Sequence, residues 1–559
     1  MSHSEVHFPK PSEFRALFRE ILAPEWDFYK VVIVYSLAIS LLTLAVPISV
    51  QMLIDTVANT ALVRAVILIA SVLFGVLLLS GLLYALRAYV MELFNRHIFA
   101  RLSSEIALTA INAKTAFFEE ARRQELFNRF FDIMTLKKNV PHVLTGGFSL
   151  FLQALIGFTV VSLYHPYFFV FVVGLIILLY LVWRIWGWRA IDSVFHLSEA
   201  KYQTAAWLEG LTINNGFFKS RRHVQYALDQ TDLVINRHVD EQVNHFRFHY
   251  RQLLSLLFLY ALASAVLLGM GGWLVIRGEL TLGQLVAAEL IMSAIFAGFP
   301  LMGGYLDQFY DICAAVEELA RFRQLPMELV QEPTAGQLPA SGELHLEQVR
   351  VGEGRHRCQF DLHIPAGSRV QAYSQEVEVQ RTFAHLLKRH QEAGGGAITL
   401  DNMDLMACNL YDLRQFVIVI DRPTLLPISI SDYLKLANPE ASSQDRFRAL
   451  VTVGLEDLIS CLDEGMDTLL SYDAWPLSID QAARLKLAAA ILAQPSLIIL
   501  SQIFDMVDRA HIEQALKALT ADGRNTVIYF TARESVGVFT HRLALEREHQ
   551  QLTAVESGS

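Results

Sequence analysis

Leu253–Ile276 reads LLSLLFLYALASAVLLGMGGWLVI, Arg277-Gly278-Glu279 interrupts it, and Leu282–Tyr305 resumes as LGQLVAAELIMSAIFAGFPLMGGY. At ~1.5 Å of rise per helical residue, each run is long enough to cross the ~30 Å hydrocarbon core of a bilayer. Two such runs separated by so short a polar break predict an antiparallel membrane hairpin. Working outward, four further runs of the same texture occur at Tyr29–Ile54, Leu62–Val90, Val140–Leu163 and Tyr167–Trp188. The bulk composition agrees with six spans. The chain is 53% hydrophobic and only 18% charged, with a mean hydropathy of +0.35, more apolar than an ordinary soluble domain.

The connections alternate between short and long. Short ones join spans one and two, three and four (Tyr164-His165-Pro166), and five and six. The long ones carry Arg96, Arg101, Lys114, Arg122, Arg123, Arg129, Lys137 and Lys138, then Lys201, Lys219, Arg221 and Arg222. By the positive-inside rule the long connections and both termini are expected in the cytosol. Residues 1–28 are charged, with Phe8, Phe14 and Phe18 interspersed, and predict an amphipathic segment on the inner membrane face. Glu289, inside the sixth run, is costly in a membrane and is a candidate for the substrate path. Trp183, Trp186 and Trp188, beside Arg184 and Arg189, read as an interfacial anchor.

After residue 323 the texture changes. Pro326, Pro333, Pro339 and Gly336 punctuate a linker at 324–342, and short β runs then alternate with helical segments from Glu343 onward. The organisation expected is therefore an amphipathic segment (1–28), a six-helix membrane domain (29–323), the linker, and a cytosolic α/β domain (343–559). A net charge of −10 argues against a nucleic-acid binder. Cys313, Cys358, Cys408 and Cys461 lack CxxC spacing, which predicts reduced thiols and no metal site. Gly394-Gly395-Gly396 precedes a strand and reads as a turn.

Several landmarks in order resemble the ABC exporter half-transporter, a six-helix membrane domain fused to an ABC ATPase domain of P-loop type. Phe117-Phe118-Glu119, with Glu125, Arg129 and Asp132, is similar to the family's first coupling region. Glu209-Gly210 followed by Phe217-Phe218-Lys219 is similar to the second. Gly278–Leu285 is similar to the turn before its last span. Downstream, Ile364–Val370, Ala397–Asn402, Pro423–Asp432, Asp467–Ser478 and Pro495–Leu500 follow the ATPase landmarks. Asp508 keeps the aspartate that contacts the opposing domain. A weaker similarity points to the peptide and protein (type I secretion) branch.

The resemblance also marks what has changed. The phosphate loop falls on Ser374-Gln375-Glu376-Val377-Glu378-Val379-Gln380-Arg381-Thr382. There Ser374, Val377 and Val379 replace glycines, Gln380 replaces the lysine, and Arg381 replaces a small hydroxyl residue beside Thr382. Such a loop uses glycines to turn N–H groups toward the anion and a lysine to neutralise it. Ser501-Gln502 replaces the acidic pair for metal and water, Asp421 the metal-sensing glutamine, and Ala532 the histidine at the γ-phosphate. The adenine-stacking aromatic is missing near Gly352-Glu353. The signature has become Leu477-Ser478-Ile479-Asp480-Gln481, with a carboxylate where a glycine is usual.

These substitutions imply a domain that neither holds nucleotide nor turns it over alone. The first expectation is a pseudo-ATPase half of a bacterial inner-membrane exporter, using Mg-ATP only through an intact homologous partner, with a periplasmic adaptor as a further partner. The alternatives are a homodimeric, non-hydrolytic scaffold or regulator of a secretion machine, and an active ATPase with rewired contacts.

Overall fold

The computed structural model describes residues 11–59, 63–119, 124–328, 339–352, 357–533 and 538–555. Contacts divide the chain into two compact units, residues 1–113 with 117–327 and residues 114–116 with 328–559. The first ten residues of the expected amphipathic segment, and Pro333 and Gly336 of the expected linker, lie outside the described residues.

In the first unit six helical stretches are long and apolar enough to cross a membrane: Ala16–Val57, Val63–Asn112, Asn128–Ser162, Pro166–Ile213, Arg221–Ile276 and Leu282–Arg323. They cover the six apolar runs to within one residue and most continue well beyond them. The fifth has 56 residues, about 84 Å of helix, far more than a bilayer requires. The first is broken where the sequence predicts one helix. Trp26–Leu42 stops and Ala45–Asn59 restarts, because Pro47 offers no N–H and crowds the carbonyl four residues earlier. Pro141 has a related effect in the third, where a π-helical turn follows at Val143–Gly147.

Small residues let these helices approach closely. A Cβ on Gly146 would lie 2.3 Å from the Tyr305 ring, and one on Gly157 2.7 Å from Ile295. The turn into the sixth span is fixed locally. Gly278 takes a positive φ of 74°. The Thr281 hydroxyl accepts from the Gln284 N–H at 3.1 Å, and the Gln284 side chain accepts from the Thr281 N–H at 2.9 Å. Some of the polar groups buried in this unit are paired across helices. Arg87 donates to Ser36 at 3.1 Å and to Ser149 at 2.7 Å. Arg101 bridges Glu25 at 2.8 Å and Glu105 at 2.7 Å.

The second unit contains two sheets. β1 (Leu344–Val351), β2 (Cys358–Ile364), β4 (Gly395–Leu400) and β5 (Met403–Asp404) form an antiparallel sheet in the order β2-β1-β4-β5. The other sheet comprises β3 (Arg369–Tyr373), β6 (Val417–Ile420), β7 (Leu497–Leu500), β8 (Thr526–Phe530), β9 (His541–Leu545) and β10 (Gln550–Ala554). Its order is β10-β9-β3-β8-β7-β6, parallel from β9 to β6. β7 and β8 are buried along their whole length, as near-continuous apolar runs covered on both faces should be. Of Gly394-Gly395-Gly396, expected as a turn before a strand, only Gly394 is a bend; Gly395 and Gly396 already belong to β4, with Gly396 at a positive φ of 89°.

Candidate functional site

The parallel sheet gathers the candidate residues. β3, β8, β7 and β6 are neighbours, and the chain leaves their carboxyl ends at Ser374, Thr531-Ala532, Ser501-Gln502 and Asp421. Ligands of open α/β sheets bind in the crevice outside these strand ends. Sequence-distant residues are thus brought to one edge, as the alignment of landmarks requires.

The segment after β3 is helical almost at once. Only Ser374-Gln375-Glu376 is loop, and the helix Val377–Leu387 follows. Its first turn already uses the local amides, for the Val379 and Gln380 N–H groups donate to the Glu376 carbonyl at 3.1 and 3.4 Å. Val377 is exposed, whereas Val379 is 1% exposed and packs in the core with Phe360 and Phe383. Gln380 and Thr382 are half-buried. Arg381 is exposed and makes no ion pair among the described residues.

The acidic side chains of this segment have a partner that local sequence does not announce. Arg547, in the turn between β9 and β10, donates Nε to the Glu376 carboxylate at 2.8 and 3.0 Å and Nη2 to Glu378 at 3.2 Å. The guanidinium holds the Glu376 carboxyl below the usual carboxylate range. The negative charge that Glu376 and Glu378 bring to this segment is thus partly neutralised by Arg547.

Ser501 caps a short 3-10 helix, Gln502–Met506, its hydroxyl accepting from the Ile503 N–H at 3.4 Å. Gln502 is exposed. Asp421 is exposed and 4.0 Å from Arg422. The Ala532 N–H donates to Asp505 at 3.3 Å, and the same carboxylate accepts from the Tyr529 and Thr531 hydroxyls at 2.6 and 2.5 Å. Asp505 therefore ties the end of β8 to the segment after β7. Asp508 caps the helix Arg509–Leu519 through the Ala510 N–H at 2.8 Å. Glu353 lies outside the described residues.

At the signature, Ser478 and Gln481 form a reciprocal cap on the helix Ile479–Ala493. Asp480 is not a lone charge, for Arg484 donates to it at 2.6 and 3.1 Å and also donates to the Gly454 carbonyl at 2.6 Å. Asp480 and Asp508 line a cavity of 780 Å³ together with Arg509 and Arg533.

In the first unit the two regions similar to coupling segments touch each other. Asn128 donates to Glu209 at 3.0 Å, and Arg129 is ion-paired with the buried Glu318. Phe118 packs edge-on against Phe117, and Phe218 edge-on against Trp207. Glu125 belongs to the segment Gln124–Phe131, but its side chain lies outside the described residues. Glu289 is half-buried, with Oε1 accepting from Ser293 at 3.3 Å and Oε2 unpartnered among the described residues. Sequence reasoning missed Arg87, a buried cation in the second span. Its polar partners Ser36 and Ser149 are weak signals scattered over two other runs.

Comparison with known proteins agrees with this architecture. Residues 30–194 match the family described as the ABC transporter transmembrane region. An uncharacterized ABC transporter ATP-binding protein of Bacillus subtilis, YknV, is 26% identical over 306 residues, 53% of this chain and 49% of the relative. The alpha-hemolysin translocation ATP-binding protein HlyB of Escherichia coli O157:H7 is 26% identical over 301 residues, 52% of this chain and 41% of that one. The chain thus spans about half the length, or less, of the curated relatives it matches. A bacterial Atm1-family ABC exporter solved with ATP bound superposes with a TM-score of 0.76 over 96% of both chains at 16% identity. The fold is that of an ABC exporter, with six apolar membrane-type helical stretches preceding an α/β sheet domain.

Proposed function

We propose that this chain is the non-hydrolytic half of an ABC-type export complex. Its membrane helices form part of a translocation path, and an intact homologous half-transporter supplies the ATP chemistry. The observation that carries this reading is the early helix after β3. Val379 is locked into the core and its amide is bound to the Glu376 carbonyl, so this stretch lacks the open run of N–H groups that grips a polyphosphate. The missing charges point the same way. Gln380 carries no cation, Ser501 is a poor substitute for a metal-binding carboxylate, and Gln502 is no practical base.

A partner's site remains compatible with this chain. Asp480 is ion-paired with Arg484, so a nucleotide held by an opposing subunit would meet a partly neutralised carboxylate, which favours a heteromeric complex over an inert homodimeric scaffold. Expected surroundings are a bacterial inner membrane with the α/β domain cytosolic, and Glu289 is the residue proposed to face the path.

The test is purification of the full chain with its co-purifying proteins, followed by ATPase assay of the complex. Hydrolysis is expected only when a homologous subunit with an intact phosphate loop is present. It should be lost on mutating that subunit's lysine and retained on changing Gln380→Ala. A complex containing only copies of this chain that still hydrolyses ATP would contradict the proposal. Glu289→Gln is expected to lower export without lowering ATPase.

A further inference from the structure

Three helical stretches of the first unit meet at one histidine. His245, on Arg221–Ile276, is 8% exposed. Its Nδ1 lies 2.9 Å from the Ser193 hydroxyl on Pro166–Ile213, and its Nε2 lies 3.8 Å from the Asp307 carboxylate on Leu282–Arg323. The Ser193 hydroxyl in turn donates to the Ala190 carbonyl at 2.9 Å. All three side chains stand just outside the apolar runs, at the ends of spans four, five and six that are expected in the cytosol.

A neutral imidazole has one N–H and one lone pair. With the proton on Nδ1, that N–H donates to Ser193 while Nε2 turns a lone pair toward a carboxylate. With the proton on Nε2, Asp307 faces a donor, but Ser193 must turn its own proton from the Ala190 carbonyl to serve Nδ1. The imidazolium carries two donors and uses all of these contacts at once. The Asp307 side chain is 53% exposed, so water reaches the pair. Neighbouring groups are engaged elsewhere. On the sixth stretch, Asp311 accepts from Asn139 at 3.1 Å and the Tyr310 hydroxyl donates to Gln252 at 2.7 Å. His249 stacks on His245 with ring centroids 6.5 Å apart, so charges on both rings repel and the group takes up one proton. Glu241 and His196 stand one turn away along the fifth and fourth stretches. Among the described residues no group of three His, Cys, Asp or Glu side chains could hold a metal ion.

We infer that His245 and Asp307 form a proton-binding site at the cytosolic mouth of the membrane unit, and that its occupancy ties the fourth, fifth and sixth stretches together. A proton from cytosolic water adds to the ring while Asp307 stays ionised, so the pair passes from one net negative charge to none. The Nε2–H then draws the sixth stretch to the fifth through Asp307, and Nδ1–H holds the fifth to the fourth at Ser193. Without that proton, Asp307 turns to water and the sixth stretch is released. Cytosolic pH thereby becomes an input to the membrane helices that needs no nucleotide. The inference rests on the membrane reading of the first unit but not on the state of the ATPase domain.

The test is hydrogen–deuterium exchange of the full chain in nanodiscs, without nucleotide, at about pH 5.5 and about pH 8, which bracket ordinary histidine titration. Rates are corrected for intrinsic exchange. Peptides spanning residues 241–249 and 305–311 are expected to be roughly two- to fivefold better protected at the lower pH, the range that an ion pair partly open to water supplies. His245→Gln and Asp307→Asn should each erase that difference. Asp307 is half open to water, so its replacement leaves the fold intact even if the buried His245→Gln does not. Asp311→Asn, whose carboxylate serves Asn139, should retain the difference. Protection independent of pH in the parent chain would overturn the site, as would a difference that survives Asp307→Asn. ATP hydrolysis by the chain would sink the functional proposal and leave this one standing.

Discussion

Arg547 and Glu376 are 171 positions apart in sequence, and their pairing partly neutralises the carboxylates at the start of the helix Val377–Leu387. Both groups are open to water, so the pair should matter little for stability. Arg547→Ala is expected to leave the melting temperature of the full chain within a degree or two while freeing both glutamates. His390 illustrates the opposite case. Burial first, then the Arg414, Lys388 and His385 charges, push its pKa from 6.5 down to about 3. Below pH 6.5 the unfolded chain therefore takes up a proton that the folded chain refuses, and stability falls as pH drops from about 6.5 toward 3. His390→Gln should flatten that acid limb relative to the parent chain when melting temperature is followed against pH. An unchanged slope would contradict the assignment. That Gln380 follows β3 and Ser501 follows β7 is legible in sequence because flanking landmarks mark their places. Arg547 is not, because no local pattern announces a salt bridge between a hairpin turn and the loop after β3.

Among the elements, the apolar cores of the six spans were legible from length and composition, but their ends were not. The helix Arg221–Ile276 keeps a helical pattern far into polar sequence, and composition registers only where the membrane part stops. Breaks at Pro47 and Pro141 were readable as residues, not as outcomes, since a proline can kink, break or widen a helix. Close helix contacts were hidden because any glycine can serve other purposes. Gly146→Ala is expected to destabilise the membrane unit by about 1–3 kcal/mol, the usual range for forced overpacking. Tyr305→Ala should rescue much of that loss in a double-mutant cycle followed by thermal unfolding in detergent. Additive effects would show that the Gly146–Tyr305 contact is not the cause. Removing the buried Glu318 carboxylate, which pairs with Arg129 and Arg321, is expected to cost about 3–5 kcal/mol in thermal unfolding, because Arg129 loses its carboxylate partner while Arg321 keeps Glu317.

For the whole molecule, the exporter fold and the proposed change at the phosphate site stand on different observations. The fold stands on six long apolar helical stretches, a parallel sheet in the order β9-β3-β8-β7-β6, and superposition over nearly the full chain. The proposed loss of ATP chemistry stands on local geometry, above all the helix beginning at Val377 where open amides would be needed. Calorimetric titration of the full purified chain, free of any partner, with Mg-ATP tests that claim most directly. The account predicts no saturable heat up to millimolar nucleotide and no phosphate release. Binding in the micromolar range that vanishes in an Arg381→Ala or Ser501→Ala variant would contradict it.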